Sequence, residues 1–283
     1  MEKLFETLAK LSQLDGPSGY EDEVRKFIVD ETRKYTDEVE VDAIGNVYAT
    51  IHGKSSGSKI IVDAHMDEVG FIIKYVEPRG FLRFEPLGTI DPKILPGKRI
   101  QVKGSRRFHS GTIGSKPPHI ISSEEANRVT PLSDLYIDVG ATGYEDAASL
   151  GLVVGSIATF EEPFRELGEN GMVMGKAFDD RAGCTVSLAM MESFAKEKTP
   201  LDVVFAFTVQ EELGLRGAEV AANHVRPDVG IVLETTVAGD VPGAKPREWI
   251  SALGGGPTIR VMDSSMIAQR PMVEDRFTSR NYN

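Results

Sequence analysis

Three short apolar segments rich in β-branched residues dominate the hydrophobic pattern of the chain. They are the runs KIIVDAH (59–65), VVFAF (203–207) and VGIVL (229–233). Uninterrupted apolar runs of this length are typical of strands that are buried on both faces of a parallel sheet. Helical patterns precede and follow the second run. The order of elements therefore predicts an α/β fold with a mostly parallel sheet flanked by helices.

Two helices and a hairpin are predicted before the first of these strands. Leucines recur with helical spacing from residue 4 to residue 14. The stretch GPSGYEDE interrupts this pattern, and Ser18 or Gly19 is the predicted start of a second helix that ends near Lys34. The alternating segment VEVDAIGNVYATIHG then predicts two strands joined by a turn at Gly45-Asn46.

The hydrophobic pattern changes between residue 69 and about residue 162. Short strand-like pieces alternate there with glycine and proline, as in GFIIKYVEPRGFLRFEPLG and ILPGKRIQVKG. This pattern predicts a small β-rich module, either a barrel or a sandwich, inserted into the α/β domain. The expected division is a discontinuous catalytic domain at 1–68 and 163–283, with the β-rich module at 69–162.

Composition narrows the classes of partner. The 283 residues carry a formal net charge of -11, which disfavours binding to nucleic acid or to an anionic membrane. The single cysteine, Cys184, cannot form an internal disulfide and is expected to be a small core residue. The N-terminal stretch has no apolar run long enough for a signal peptide or a membrane span. These features predict a cytoplasmic protein.

Ionisable side chains stand at the end of each apolar run and at the start of one predicted helix. In open α/β sheets the functional groups gather at the carboxyl ends of the strands. One imidazole and several carboxylates at that edge would suit a pair of divalent metal ions. The candidates are His65 and Asp67, Asp179 and Asp180, Glu211 and Glu212, and Glu234.

Two of these groups have an alternative, structural interpretation. His65 and Asp67 are two residues apart, so both side chains share one face of an extended chain, and Asp67 could orient the imidazole. They could equally be a buried histidine and its hydrogen-bond partner. Asp179 and Asp180 could cap the following helix, or one of the two carboxylates could bridge two cations.

The adjacent pair Glu211 and Glu212 favours a functional interpretation. Two neighbouring carboxylates at the end of a buried strand repel each other unless a positive charge lies between them. Because adjacent side chains point in different directions, one could bind a metal while the other acts as a general base. The alternative is the solvated start of a helix. Glu234 gains weight only because it is the third strand end that carries an acid.

Taken together, the motifs resemble the dinuclear metallo-aminopeptidases, a family that includes glutamyl aminopeptidase and the tetrahedral, self-compartmentalising peptidases. Some members of that family are labelled endoglucanases. The resemblance runs in the family's order from about residue 15 to about residue 265. The matching stretches are GPSGYEDEVR, VDAIGNVYA, AHMDEVGFII, LPGKRIQVKG, GSKPPH, LYIDVGA, GKAFDDRAGC, QEELGLRGA and LETTVAGDVPG.

The resemblance implies a role for each candidate residue. His65 and Glu234 would hold one metal ion together with Asp179, which would bridge to a second ion held by Glu212. The ions would be Zn²⁺ or Co²⁺. The supporting roles would be those of Glu211 as general base, Asp67 as the partner of His65, and Asp180 as the residue that fixes the bridging carboxylate.

The resemblance also implies an architecture and an assembly. A zinc-exopeptidase-like catalytic domain would be interrupted by a β-rich module that mediates assembly, and dimers would build a dodecamer. Family members continue beyond the point where this chain ends, and the continuation carries a closing helix and a final histidine for the second metal. No histidine follows His224. We therefore expect an incomplete C-terminal part, a second metal site that lacks one ligand, and an exposed apolar sheet edge.

The expected activity is hydrolysis of N-terminal amino acids from short peptides by a water molecule shared between two metal ions. Three alternatives stay open. The chain could be an impaired or inactive subunit that acts only in assembly. It could be a related metal-dependent deacylase or carboxypeptidase. It could also be an endoglucanase that works through paired carboxylates without a metal, which would keep its activity in EDTA.

Overall fold

A computed structural model describes residues 2–54, 57–120, 122, 127–260 and 279–281 of the chain. The chain divides into two compact units, residues 1–234 and residues 235–283, which are described separately. The helices are α1 (Glu2–Gln13), α2 (Asp22–Thr32), α3 (Tyr144–Ser149), α4 (Phe178–Lys196) and α5 (Arg216–Val225). Short 3-10 helices lie at Pro92–Ile94, Pro118–Ile120, Leu132–Asp134 and Pro246–Glu248. No described helix is long and apolar enough to cross a membrane.

The described strands fall into a central sheet, a barrel and two two-stranded antiparallel sheets. In chain order they are β1 (Val39–Val41), β2 (Val47–Ile51), β3 (Lys59–His65), β4 (Gly70–Val76), β5 (Leu82–Leu87), β6 (Arg99–Lys103), β7 (Phe108–Gly114), β8 (Tyr136–Asp138), β9 (Ile157–Phe160), β10 (Arg165–Leu167), β11 (Met172–Met174), β12 (Asp202–Thr208), β13 (Val229–Val232), β14 (Thr258–Arg260) and β15 (Ser279–Asn281).

The central sheet has the strand order β1-β2-β12-β3-β13. The three apolar runs of the sequence form adjacent parallel strands, with β3 between β12 and β13. β2 pairs antiparallel with both β1 and β12, so the sheet is mixed and the prediction of a mostly parallel sheet is wrong at this edge. The link 52–58 is too short for a crossover, so β3 must run opposite to β2. The predicted β1–β2 hairpin is confirmed, with Gly45 at φ +105° in its turn.

Helices cover both faces of this sheet. On one face, α1, α2 and α4 pack a buried cluster that includes Leu11, Val24, Ile28 and Leu188. On the other face, residues of α5 pack against Tyr48, Ile61, Val204 and Ala206. Cys184 is fully buried in the first cluster, as expected for a small core residue, and its thiol donates to the carbonyl of His65 at 3.2 Å. Because helices cover both faces of the sheet, the ends of its strands are the positions where side chains can reach a substrate.

The β-rich segment forms a closed barrel with the strand order β4-β5-β8-β7-β6-β9. The sequence pattern allowed a barrel or a sandwich, and the structure has the barrel. Alternate residues of its strands point inward and form a second apolar cluster, which includes Phe71, Ile73, Phe84, Ile100 and Ile137. Phe71 and Phe84 contact each other edge to face, with ring centroids 5.0 Å apart. Closure pairs every strand and leaves no free barrel edge.

The open edge of the central sheet is β13. Among the described residues it pairs only with β3, and three of its apolar side chains are exposed: Val229 at 52%, Ile231 at 43% and Val232 at 66%. This agrees with the expectation of an exposed apolar edge. The unit 235–283 contains an antiparallel pair, β14 and β15, and a bridge between Ala238 and Ser251. The polar tail after about residue 265 lies almost entirely outside the described residues.

Candidate metal centre

The carboxyl ends of the three parallel strands meet at one edge of the sheet. His65 is the last residue of β3 and lies opposite Thr208, the last residue of β12. The loop that carries Glu211 and Glu212 therefore begins beside His65. Glu234 follows the end of β13 by two residues. The predicted convergence of ionisable side chains from separate strand ends is thus present in the fold.

His65 lies between three acids. Its Nε2 atom is 3.0 Å from Asp179 Oδ1 and 3.7 Å from Glu234 Oε2. Its Nδ1 atom is on the opposite side of the ring, 3.3 Å from Asp67 Oδ1. The imidazole is buried, whereas the Asp179 side chain is 57% exposed. An imidazole that directs one nitrogen to an open carboxylate cluster and the other to a buried carboxylate has the arrangement of a metal-ligating histidine.

Two groups of three side chains could each hold a metal ion. One consists of His65, Asp179 and Glu234, and the other of His65, Glu211 and Glu212. Within each group the possible ligand atoms lie within 4.8 Å of one another. Both groups depend on the same imidazole, and its Nδ1 atom faces Asp67. Two ions bound together would therefore not have equal access to a nitrogen ligand.

Asp179 and Asp180 have different surroundings although they are adjacent. The backbone at both residues is non-helical, and regular helix α4 continues after them. Asp180 is fully buried and accepts a hydrogen bond from the Gly183 amide at 3.0 Å, as a capping residue does. Asp179 instead faces His65. The capping interpretation thus fits Asp180, and the metal interpretation fits Asp179.

Asp67 connects the histidine to the acidic loop after β12. Its side chain is fully buried and accepts hydrogen bonds from the amides of Glu211 and Glu212, at 3.0 and 3.2 Å. The Ser18 hydroxyl donates to its second oxygen at 2.5 Å. Burial by itself raises the pKa of Asp67, but His65 and these donors outweigh it and hold the pKa below its ordinary value.

Glu21 extends this hydrogen-bonded arrangement by one residue. Its Oε1 atom accepts from the amide of Gln210 at 3.2 Å and from the amide of Gly19 at 2.7 Å. Three consecutive amides, at 210, 211 and 212, are therefore bound by the buried carboxylates of Glu21 and Asp67. The sequence pattern gave Ser18 only as a possible helix start and gave no role to Glu21. Helix α2 in fact starts at Asp22, after both residues.

A buried charge network lies next to the site, and sequence analysis missed it as well. The Lys176 ammonium contacts the carboxylates of Asp15 and Glu68, each at 2.7 Å. Asp15 also accepts from the side-chain amide of Gln101 on the barrel strand β6 at 2.7 Å. The Arg181 guanidinium is fully buried and donates to the carbonyl of Met66 at 2.7 Å. Lys176 and Arg181 are therefore bound to groups beside the site. The positively charged group among the candidate metal ligands is His65.

The acids of the site are held close together, and most of them are at least partly buried. Burial, followed by the charges of neighbouring acids, raises the pKa of Glu212 to about 7 and the pKa of Glu234 to about 9. Burial also raises the pKa of Asp180 to about 8. Burial lowers the pKa of His65, but the neighbouring carboxylates of Asp179 and Asp67 outweigh this and raise it to about 11. The raised pKa values show that the negative charges of these carboxylates oppose one another. A divalent cation bound by the same oxygen and nitrogen donors would neutralise that charge.

A cleft of 620 Å³ opens beside Asp179 and Glu212. Barrel residues line it as well, among them Ile94, Lys98 and Arg99. The barrel approaches the site closely at Gly88, where an added Cβ atom would lie only 3.1 Å from the Cβ of Glu212. Gly88 also has φ +93°, a backbone conformation that favours glycine. The acidic edge and the barrel thus share one cavity, whose volume is that of a site for a small ligand.

Comparisons with known proteins agree with the fold and the motifs. A family model described as M42 glutamyl aminopeptidase matches residues 45–278. An aminopeptidase structure from the archaeon Desulfurococcus kamchatkensis is 39% identical, with 90% of this chain and 69% of that chain covered and a TM-score of 0.86. A Thermotoga maritima structure named as an endoglucanase is 38% identical, with 88% and 72% covered and a TM-score of 0.73.

A third solved structure is the TET1 peptidase of Pyrococcus horikoshii, which can assemble into a tetrahedron or a large octahedral shell. It is 36% identical, with 84% of this chain and 72% of that chain covered and a TM-score of 0.74. The family match covers most of the chain, and the matched range contains His65, Asp179, Glu211, Glu212 and Glu234. The chain therefore belongs to the M42 glutamyl aminopeptidase family.

Proposed function

We propose that the chain is a metal-dependent aminopeptidase that releases N-terminal amino acids from short peptides. The observation that supports this most directly is the position of His65, whose Nε2 atom faces the carboxylates of Asp179 and Glu234 at 3.0 and 3.7 Å. The family supports peptidase activity, and the cluster of acids around one buried imidazole supports dependence on a divalent metal.

His65 and Glu234 would hold one Zn²⁺ or Co²⁺ ion with Asp179, which would also reach a second ion held by Glu212. When bound, the two ions would lower the pKa of a water molecule and polarise the scissile carbonyl. Only one ion at a time can use the Nε2 atom of His65. We therefore expect the ion bound by His65 to be held more tightly than the second ion.

Glu211 is the proposed general base. It would take a proton from the attacking water and return it to the leaving amine. Burial raises the pKa of Glu211 above its ordinary value, which brings the carboxylate closer to the pH at which it must exchange protons. The hydrogen bond from its backbone amide to Asp67 fixes the position of the Glu211 backbone, from which the side chain extends. Asp67 would thereby orient both the base and the imidazole.

The proposal also assigns different roles to two parts of the chain. Residues 1–68 and 163–283 would form the catalytic domain, and residues 69–162 would form the assembly module. The relative that can assemble into a tetrahedron or an octahedral shell supports a homo-oligomer, built as a dimer and then a dodecamer. The negative net charge and the single cysteine support a cytoplasmic protein that acts on peptides rather than on nucleic acid or membranes.

The second candidate is an endoglucanase, which the name of the Thermotoga maritima relative suggests. A glycosidase needs two carboxylates and no metal. In this site the acids surround a buried imidazole, which favours the metal-dependent peptidase. A related deacylase or carboxypeptidase would share the metal site and differ only in substrate.

A substrate panel with and without chelator tests the proposal. The panel contains aminoacyl p-nitroanilides, N-acetylated and C-terminal peptide substrates, and cello-oligosaccharides. We expect release of p-nitroaniline from unblocked aminoacyl substrates, loss of that activity in EDTA, and recovery with Zn²⁺ or Co²⁺. Activity only on oligosaccharides, or peptidase activity that EDTA leaves intact, would contradict the proposal. Absence of all activity would support the inactive-subunit alternative.

A further inference from the structure

The cleft beside the candidate metal centre is lined by acids on one side and by two basic residues on the other. Asp179 lies at the start of α4 and Glu212 in the loop after β12, whereas Lys98 precedes barrel strand β6 and Arg99 is its first residue. Both basic side chains are exposed. A short peptide in water carries an ammonium group at one end and a carboxylate at the other. The basic side of the cleft therefore matches the carboxylate end of such a peptide.

The strand pattern shows which way Arg99 faces. Along β6, Ile100 and Val102 are fully buried in the barrel core, so Arg99 and Gln101 lie on the outer face. The Gln101 side-chain amide donates to Asp15, a residue of the segment that follows α1, at 2.7 Å. This outer face of β6 is thus the one directed toward the catalytic sheet. Arg99 stands two residues from that contact, at the cleft.

The other charged residues of the cleft wall are largely engaged. Lys176 is bound by two carboxylates, and Glu162 lies 3.6 Å from the Arg165 guanidinium. Neither Lys98 nor Arg99 forms an ion pair with any residue in the described part of the chain. Glu161 also lines the wall, so the three charges of Lys98, Arg99 and Glu161 sum to one positive charge. An anionic group in the cleft would meet unpaired donors there.

We propose that Lys98 and Arg99 bind a carboxylate group of the substrate, an inference that rests on the proposed aminopeptidase function. The guanidinium binds a carboxylate with two parallel hydrogen bonds, and the ammonium adds a second charge. That group is the C-terminal carboxylate of a short peptide, which spans about 10 Å for three extended residues.

The experiment compares free-acid and amide forms of the same tripeptide, Leu-Gly-Gly. The variants are Arg99→Gln and Lys98→Gln, and the control is Lys103→Gln, which removes a charge from the outer face of the same strand outside the cleft. We expect the wild-type protein to prefer the free acid. Each cleft variant should raise the KM for the free acid about fivefold to tenfold with little change in kcat. The amide kinetics and the control should be unchanged.

A second arm tests an acidic first side chain as the alternative ligand. Glutamyl and leucyl p-nitroanilides lack a C-terminal carboxylate and differ in the charge of the first side chain. A selective loss with the glutamyl substrate in Arg99→Gln would overturn the proposal, because the site would then bind an acidic first residue. A selective loss with free-acid Leu-Gly-Gly supports the site for the C-terminal carboxylate. Equal effects of the cleft variants on charged and uncharged substrates, or no effect on any of them, would overturn the proposal.

Binding measurements separate this proposal from the proposed function. Calorimetric titration of the metal-free protein with Leu-Gly-Gly and its amide reports the carboxylate contact without catalysis. If no peptide is hydrolysed but the free acid binds more tightly in an Arg99-dependent way, the aminopeptidase function fails and the carboxylate site stands. If peptides are hydrolysed and Arg99→Gln alters neither binding nor KM, the carboxylate site fails and the function stands.

Discussion

The barrel and the acidic sheet edge are built on opposite principles within the same compact unit. The interior of the barrel is apolar, and among the described residues from 70 to 160 the fully buried polar side chain is Thr159. At the sheet edge, by contrast, charged side chains are buried together, namely His65, Asp67, Glu68, Lys176, Asp180 and Arg181. The barrel gains its stability from burial of apolar surface, which does not depend on pH. With Asp179, Glu211, Glu212 and Glu234 beside these groups, the edge carries excess negative charge, so its stability depends on protons and cations.

The contrast indicates that the barrel mainly stabilises the fold and that the sheet edge mainly carries the chemistry. Buried acids without matching cations lower stability unless they are protonated or bind a metal. A closed apolar barrel supplies stability without such groups. Substitutions at the edge should therefore alter activity, metal binding and pH dependence, whereas substitutions inside the barrel should alter stability alone. The following predictions are ordered by the size of the expected effect.

The largest effect is expected from Glu211→Gln at the edge. Loss of the general base should lower kcat by about 10²- to 10⁴-fold. The melting temperature should stay the same or rise, because one repelling charge is removed from a cluster of acids. Steady-state kinetics and thermal unfolding measure both quantities. Glu219→Gln, an exposed change on α5, is the matched control. A Glu211→Gln protein with wild-type kcat would exclude Glu211 as the base.

The matching change inside the barrel is Phe84→Ala. Phe84 is 2% exposed, and its removal should lower the free energy of unfolding by about 3–5 kcal/mol. Because the barrel holds no charged cluster, this loss should be the same in EDTA and in excess Zn²⁺. Denaturant unfolding measures it, with Tyr75→Ala on the exposed side of β4 as control. A loss that disappears when metal is added would show that the two regions are not energetically separate.

The pH dependence of stability should distinguish the metal-free and metal-bound protein. The folded state raises the pKa of Glu212 to about 7, of Asp180 to about 8 and of Glu234 to about 9. A carboxyl group with a raised pKa stabilises the fold below its unfolded pKa and loses that contribution as pH rises through the folded pKa. The melting temperature in EDTA should therefore fall between pH 5 and pH 9.

Divalent cations should remove most of that fall, because a metal ion replaces the protons that the acids would otherwise need. Thermal unfolding at pH 5, 7 and 9, with EDTA or with Co²⁺, measures the difference. Metal should stabilise the protein most at pH 9 and least at pH 5. A melting temperature that is flat or rising with pH in EDTA would contradict the interpretation of the edge as an excess of buried negative charge.

The smallest effect is expected at Glu21, which lies outside the set of candidate ligands. Glu21→Ala frees the amide of Gln210 and should lower kcat about tenfold, a cost near that of one hydrogen bond to a charged group. Glu21→Gln should retain most of the activity, because the amide oxygen accepts the same two hydrogen bonds. Glu23→Ala on the exposed face of α2 is the control. Equal losses in the Ala and Gln variants would rule out this positioning role.

The sequence predicted that the candidate residues converge, but it did not predict the hydrogen bonds that hold them in place. The first depends on local patterns, and the second depends on contacts between distant parts of the chain. His65, the pair Glu211 and Glu212, and Glu234 each stand at the end of an apolar run, which is a local pattern, and the strands that such runs form end at a common edge. Glu21 reaches Gln210 across 189 positions, and no local pattern in GPSGYEDE encodes that contact. The network of Lys176, Asp15 and Glu68 is equally non-local.

The fold shows the same limit at two places. The alternating pattern of VEVDAIGNVYATIHG predicts a hairpin, but it does not say that β2 joins the sheet antiparallel to β12. The glycine-rich segment 69–162 predicts short strands with one buried face, a pattern shared by barrels and sandwiches. The closed order β4-β5-β8-β7-β6-β9 depends on which strands pair, and pairing is decided by contacts between distant segments.

Equilibrium dialysis of the metal-free protein against Zn²⁺ and Co²⁺, compared with the variant His65→Ala, tests the central claim most directly. The account predicts two bound ions in the wild-type protein, one of them held more tightly, and loss of the tighter ion when the imidazole is removed. A wild-type protein that binds no divalent ion at neutral pH, or a variant that binds them as tightly as the wild type, would contradict it.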